Sequence, residues 1–301
     1  MATIADCLVC GGSSPQRPAL AGLEQCERCA FVTYRETASI DFSKLYGAEY
    51  FHGASYADYT GQEASLRRSM RQHLRQMESF GPLRGSLLEI GCAYGFFLDE
   101  ARRHFSRVVG VDISADAAKD AREIFGVEAH AGDFSRMSFP PASFDVVCLW
   151  DTIEHLKSPH DYLAKAHSLL TPAGRIFLTT GDLGSWNARL RGARWRQIHP
   201  PTHLHYFSRK TLEALLIRLG FEMLGVETAP YYHSAYNVLA TLAMRGGRAG
   251  AAARGALRVI GERTARRSGL WLNLGDIMFV AARRRSTELS TAEPFVAVDS
   301  T

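Results

Sequence analysis

Strands alternating with helices through the middle of this 301-residue chain predict an α/β fold, doubly wound, with a parallel sheet covered by helices on both faces. Three observations predict it. Short apolar runs recur with room for one helix between them, glycines flank the first strand-to-helix turn, and acidic residues stand at successive strand ends. At 46% apolar residues, the chain can bury a full core.

The N-terminal stretch has its own logic. Cys7, Cys10, Cys26 and Cys29 form C-x2-C, fifteen intervening residues, then C-x2-C, the spacing of a four-thiolate zinc site. Gly11 and Gly12 follow the first pair, where a knuckle must bend toward the metal. With four protein ligands and no open position, the zinc would be structural. Disulfide pairing is the competing reading, which a reducing compartment disfavours. Residues 1–35 are therefore expected to be a zinc module, and 36–83 a helical linker. Within the linker, "YGAEYFHGASYADY" reads as a cover or lid, and Gln62–Phe80 as a helix with Leu66, Met70, Leu74 and Met77 in one stripe.

Residues 84–285 carry the alternation. Strands are expected at 86–90, 107–112, 127–131, 144–150 and 174–180. Helices lie between them, starting at Gly95, after the cap Ser114, and at Pro159. Two insertions interrupt the pattern, a Trp-, Arg- and His-rich one over 182–207 and a helical, arginine-rich one over 233–267. Around and after them come a helix capped by Ser208, a strand at 221–228 and a last strand at 275–284. The tail 286–301 reads as disordered. Cys148 stands alone in apolar surroundings, a small buried side chain.

The net charge of +4 is mild and demands no nucleic-acid partner. In the cysteine module, Arg17, Arg28 and Arg35 are balanced by Asp6, Glu24, Glu27 and Glu36, which argues against RNA binding. No apolar run is long enough to span a membrane, and "MATIADCLVC" lacks a secretory pattern, so the expected compartment is the cytoplasm. The arginine-rich segment 245–285 leaves peripheral contact with an anionic membrane open beside a solvent-exposed helical pair or a dimer contact. The oligomeric state is not legible.

"LLEIGCAYGFFL" turns the first strand into the first helix, and Gly91 and Gly95 let a ligand approach the backbone. Asp112 stands 21 residues after Gly91, at the end of the second strand, where a carboxylate can accept both ribose hydroxyls. Asp133 closes the third strand, positioned to accept from an adenine amino group. The turn lacks a full G-x-G-x-x-G, and Glu89 ahead of the glycines would repel a pyrophosphate but suit an amino or sulfonium charge. That points to S-adenosylmethionine.

In order and spacing, "LLEIGCAYGFFL", "VVGVDIS", "AGDF" and "FDVVCLWDTIEHL" resemble the motifs of class I S-adenosylmethionine-dependent methyltransferases. The resemblance implies a Rossmann-like, seven-stranded sheet whose last strand is antiparallel and inserted between the fifth and sixth. By position, Glu89, Gly91, Cys92 and Gly95 would line the methionine end, Asp112 and Ile113 the ribose, Asp133 and Phe134 the adenine, with Trp150 beside them. The chain has "WDTIEHL" where methyltransferases acting on exocyclic amines carry an N/D-P-P-Y/F turn, which favours oxygen or carbon acceptors. "DTIEHL" is similar to the D/E-x-x-E-H segment of ubiquinone-type O-methyltransferases. The resemblance implies a divalent ion such as Mg²⁺ on Asp151 and Glu154 with His155; helical spacing i, i+3, i+4 would turn all three one way. His155 as base or positioner, and Glu154 with His155 as scaffolding, stand beside it.

"HPPTHLHYFS" (199–208) opens a different question. Its prolines forbid a helix through 199–203, so His199 and His203 are no helical metal pair. His203 and His205 would share one face if extended. His199 and His203 join His155 as candidate bases, against the reading of satisfied structural histidines. Arg189, Arg191, Arg194 and Arg196 either grip an anionic substrate or form a solvated face. The expected activity is methyl transfer to a small molecule or glycan, O-methylation preferred. A sugar C-methyltransferase, a zinc-finger RNA methyltransferase and a non-catalytic cofactor-binding scaffold are the alternatives.

Overall fold

The computed structural model describes residues 3–34, 60–244 and 246–285. The tyrosine-rich lid segment, Arg35, Glu36, Arg245 and the tail from 286 lie outside the described residues.

Four antiparallel strands open the chain: β1 (Thr3–Cys7), β2 (Gly12–Pro18), β3 (Leu23–Cys26) and β4 (Val32–Tyr34). The two C-x2-C turns are built alike. Gly11 N–H donates to Cys7 C=O at 2.9 Å, and Ala30 N–H to Cys26 C=O at 2.8 Å. Each residue sits in the left-handed region with φ of 63°. Gly11 meets the expectation of glycine freedom, whereas Ala30 adopts the same conformation with a Cβ.

Helix α1 (Glu63–Ser79) follows, and the expected stripe divides in two. Leu74 and Met77 are buried in the core, while Leu66 and Met70 face a cavity. Next come β5 (Ser86–Ile90), α2 (Phe96–Ala101), β6 (Arg107–Asp112), α3 (Ala115–Phe125), β7 (Glu128–Ala131), β8 (Phe144–Trp150), α4 (Pro159–Leu169) and β9 (Leu170–Gly181). Ser114 caps α3 by accepting from Ala117 N–H, and Gly126 ends it at φ 64°. Strand β9 starts four residues earlier than the apolar run suggested.

After β9 come α5 (Trp186–Arg191), the two-residue strand β10 (His205–Tyr206), α6 (Arg209–Arg218) and β11 (Phe221–Thr228). Residues 233–234, expected to be helical, instead finish β12 (Tyr231–Ser234). This strand pairs with β13 (Gly269–Leu272) across α7 (Ala235–Met244), α8 (Gly247–Ile260) and α9 (Glu262–Arg267). The hairpin wins there because Tyr232 and Ser234 bury one side of an aromatic-rich strand. Strand β14 (Ile277–Arg284) closes the fold.

The main sheet has the order β7-β6-β5-β8-β9-β14-β11. All strands are parallel but β14, which pairs antiparallel with both β9 and β11. This is the seven-stranded order that the motif resemblance implied.

Strand β10 belongs to the other sheet. It pairs antiparallel with β4, His205 opposite Thr33, and so makes the cysteine module a five-stranded sheet. The module also shares its core with the main body. Cys7, Val9, Cys26 and Phe31 pack in one cluster with Phe207, Leu212 and Leu215, and Arg218 of α6 donates to the carbonyls of Leu8 and Val9.

Candidate active site

A cavity of about 310 Å³ opens at the C-terminal ends of β5, β6 and β8. Connections from β5 and β8 leave the sheet toward opposite faces, so the strand ends part there and leave a crevice. Gly91, Asp112, Ile113, Asp133, Phe134 and Trp150 line the cavity, all six expected from the motifs. Glu89, Cys92 and Gly95 do not line it. Cys92 is packed in the core, where its sulfur fills the space beside Gly110. Gly95 is the left-handed cap of α2, φ 77°, where a Cβ would meet Ala121 at 2.8 Å. Gly91 has φ 82°, and a Cβ there would meet Thr152 Oγ1 at 2.5 Å. Glycine keeps that wall open.

Each carboxylate has a distinct environment. Asp112 is buried; Ala93 N–H donates to one oxygen at 2.7 Å and Ser114 N–H to the other at 2.8 Å. Burial raises its pKa despite these bonds. Glu89 is fully buried, and its Oε2 has no hydrogen-bond partner among the described residues. Burial, with the neighbouring Asp112 charge, pushes Glu89 well above the carboxylate range. Trp150 Nε1 is likewise unpartnered. Trp150 lines the cavity, so a ligand with a hydrogen-bond acceptor fits its orphaned N–H. Asp133 accepts from Tyr162 Oη at 2.5 Å and from Ser135 N–H and Oγ. Burial opposes its ionisation, but these bonds bring its pKa below the usual value. Phe134 packs against Tyr162, ring centroids 5.5 Å apart.

Across the cavity the wall is built from α1 and β12: Leu66, Ser69, Met70, His73 and Tyr231. His73 stacks on Trp150 at 4.8 Å and meets Tyr231 edge-on at 5.5 Å. His73 and Tyr231 were not legible as site residues. The helical stripe pointed to Leu66 and Met70 only as core, and Tyr231 follows a strand without any recognisable motif.

The "DTIEHL" segment departs from the single helical face expected of it. Asp151 takes a left-handed φ of 46°, and the 3-10 turn over Ile153–His155 starts after it. Asp151 accepts from Tyr231 Oη at 2.6 Å and from Thr179 Oγ1 at 2.9 Å. Glu154 accepts from Thr180 Oγ1 at 2.9 Å, and burial with the Asp151 charge pushes it up to about 8. Ligand-capable atoms of Glu154, His155 and His203 lie within 4.8 Å of one another, a set that leaves Asp151 out. The expected ion on Asp151, Glu154 and His155 does not fit these residues, because Asp151 is committed to Tyr231 and Thr179.

Of the three candidate histidines, His155 lines the cavity, whereas His199 and His203 do not. They pack behind it: His203 meets His155 edge-on at 4.6 Å and His199 at a tilt at 3.7 Å, centroid to centroid. His155 Nδ1 faces Thr202 C=O at 2.7 Å, and His203 Nδ1 faces Gln197 C=O at 2.9 Å. Burial lowers His155 to about 4 and His203 to about 2. His203 and His205 do not meet the same neighbours. His205 stacks on Phe31 of the cysteine module at 5.6 Å and pairs with Thr33 Oγ1 at 3.0 Å. Arg196 is tied to the buried Asp276 at 2.9 Å, and Arg189, Arg191 and Arg194 lie outside the cavity lining.

The second cluster is the cysteine set. Its four sulfurs lie within 4.8 Å of one another, with Cys7 and Cys29 3.5 Å apart, and all six described cysteines are unbridged.

Strand order, an acid-lined crevice at the parallel-strand ends and a glycine-walled turn define a class I S-adenosylmethionine-dependent methyltransferase. The family described as "Methyltransferase domain" (Methyltransf_23) matches residues 63–226, more than half of the chain, and the chain belongs to that family. Similar proteins include the ubiquinone biosynthesis O-methyltransferase of Thiobacillus denitrificans, 27% identical over 175 residues, which cover 55% of this chain and 75% of the relative. The enzyme of the same name from Paracidovorax citrulli is 27% identical over 113 residues, covering 35% of this chain and 47% of the relative. Among solved structures, the PH0226 protein of Pyrococcus horikoshii matches the fold with a TM-score of 0.53 at 20% identity, covering 79% of this chain and 99% of that one.

Proposed function

We propose that this chain transfers the methyl group of S-adenosylmethionine to a hydroxyl oxygen of a small, largely apolar molecule. The observation that carries the reading is the cavity's two-sided lining. Asp112, Asp133, Gly91 and Trp150 stand on the cofactor side, and Leu66, Met70 and Tyr231 on the acceptor side. The matches to ubiquinone biosynthesis O-methyltransferases support the oxygen acceptor.

The bound cofactor would supply an electrophilic methyl on sulfur. Asp112 would hold the ribose hydroxyls, and Asp133 and Phe134 the adenine, while Glu89 lies buried outside the cavity lining. His155 is the proposed base. Its place in the cavity lining carries this role, and its Nδ1 contact with Thr202 C=O fixes the ring. Burial makes it a weaker base than a free imidazole, so a bound ligand must raise its basicity. His203 and His199 act behind it as packing that holds the ring in place. Tyr231, Thr179 and Asp151 order the wall beside it.

A structural Zn²⁺ at Cys7, Cys10, Cys26 and Cys29 belongs to the same reading. Four close, unbridged sulfurs and two matched knuckle turns suit a tetrahedral thiolate site. The module's role is to brace β10 behind the histidine column. Its use of β4 and Phe31 for that contact favours a brace over a nucleic-acid finger.

Labelled cofactor with an alkyl-tailed catechol tests the reading. Methyl ether should form, and His155→Ala should lower turnover by about 10²-fold while cofactor affinity stays within about threefold. Methylation at carbon or nitrogen, or undiminished turnover of His155→Ala, would sink it.

A further inference from the structure

Among the described residues, exposed apolar side chains outside the cavity include two neighbouring groups. On α5, Trp186 is 80% exposed and Leu190 73%, four residues apart and so on one face. On β13 and the turn after it, Leu270, Trp271 and Leu274 are 46%, 44% and 50% exposed. The segments meet at Asp276, which accepts from Asn187 of α5 at 2.7 Å and directly follows the Leu274–Gly275 turn.

The charge around both patches is one-sided. Residues 183–200 hold four arginines and no acid; residues 246–274 hold six arginines and one acid, Glu262, which Arg266 pairs at 2.8 Å. The flanking acids Asp182 and Asp276 are buried and paired with Arg209 and Arg196. The exposed charge here is therefore cationic.

Tryptophan and leucine set among arginines match the chemistry of a lipid headgroup layer. Indole and aliphatic groups enter the interface, and guanidinium groups meet phosphates. A second copy of the chain would bring like charges together. We propose that α5 and the β13–β14 turn form a docking face for an anionic lipid bilayer, with Trp186, Leu190, Trp271 and Leu274 entering the headgroup region. This goes beyond methyl transfer and does not depend on which acceptor is used.

The test is co-sedimentation of the full, metal-loaded chain with vesicles of phosphatidylcholine alone or with about 30% phosphatidylglycerol. Binding should require the anionic lipid and weaken steeply with salt. It should fall at least about tenfold in Trp186→Ser/Leu190→Ser and, separately, in Arg189→Glu/Arg191→Glu/Arg194→Glu, with cofactor affinity unchanged in both. A wild-type chain that stays in the supernatant, or variants that bind as the wild type does, would overturn the proposal. So would a dimer that the Trp186→Ser/Leu190→Ser change dissociates without any vesicle binding.

Discussion

Asp151 holds a left-handed φ of 46° at the end of β8, a conformation that costs a non-glycine residue on the order of 1–3 kcal/mol. Bonds from Thr179 and Tyr231 over-determine it and occupy both carboxylate oxygens. The buried histidines nearby make the fold pH-sensitive. Burial lowers His73, His155 and His205 from 6.5 to about 4, and His203 to about 2. Their stability contribution is present above the unfolded value of 6.5 and is lost as pH falls toward the folded values. Each such group costs up to about 1.4 kcal/mol per pH unit in that window. Glu154, raised from 4.5 to about 8, works the other way across 4.5–8. So do Glu89, Asp112 and Asp151, whose pKa values burial also raises, while His167, His199 and His233, lowered by burial, add to the histidine side. Thermal unfolding midpoints should therefore drop by several degrees between pH 6.5 and 5 (roughly the scale a few kcal/mol implies), and His73→Phe should flatten the slope. An unchanged midpoint over that interval would count against the buried neutral histidines. None of this was legible in "HPPTHLHYFS" alone, because a histidine's burial depends on partners distant in the chain.

At the scale of elements, β10 joins the two halves of the molecule. Tyr206 and Phe207 bury themselves, Ser208 caps α6, and His205 crosses to Phe31 and Thr33. The caps and the apolar strands were readable because they rest on local chemistry: Ser114 and Ser208 precede helical runs, and β5 and β6 are buried runs bounded by turns. The β4–β10 pairing was not, since the partners lie about 172 residues apart and each strand is only two or three residues long. If zinc braces that pairing, Cys26→Ser or removal of the metal with a strong chelator should lower metal content and cut turnover at least about tenfold. Cofactor affinity should change far less, because Asp112 ends one strand of the other sheet and Asp133 follows another by two residues. Metal content and turnover measured together check this; full turnover after metal loss would mean that the module does not support the site.

At the scale of the molecule, the parallel strands set where the chemistry happens. With β5 central and β6 and β8 on either side, loops of opposite direction part at the carboxyl ends, and Gly91, Asp112 and Trp150 gather there from three strands. Motif order alone led to this half of the site. The opposite wall, assigned to the acceptor in the proposed function, comes from α1 and β12, brought in from outside the alternation, so its side chains had no motif to announce them. S-adenosylmethionine is the expected occupant of this crevice. Calorimetric titration tests it most directly, with unfolding midpoints recorded for each variant. Binding should be saturable at one site and should weaken at least about tenfold in Asp112→Ala. A folded chain that takes up no S-adenosylmethionine, or an Asp112→Ala variant that binds it as tightly as the wild type, would mean that the crevice is not the cofactor site.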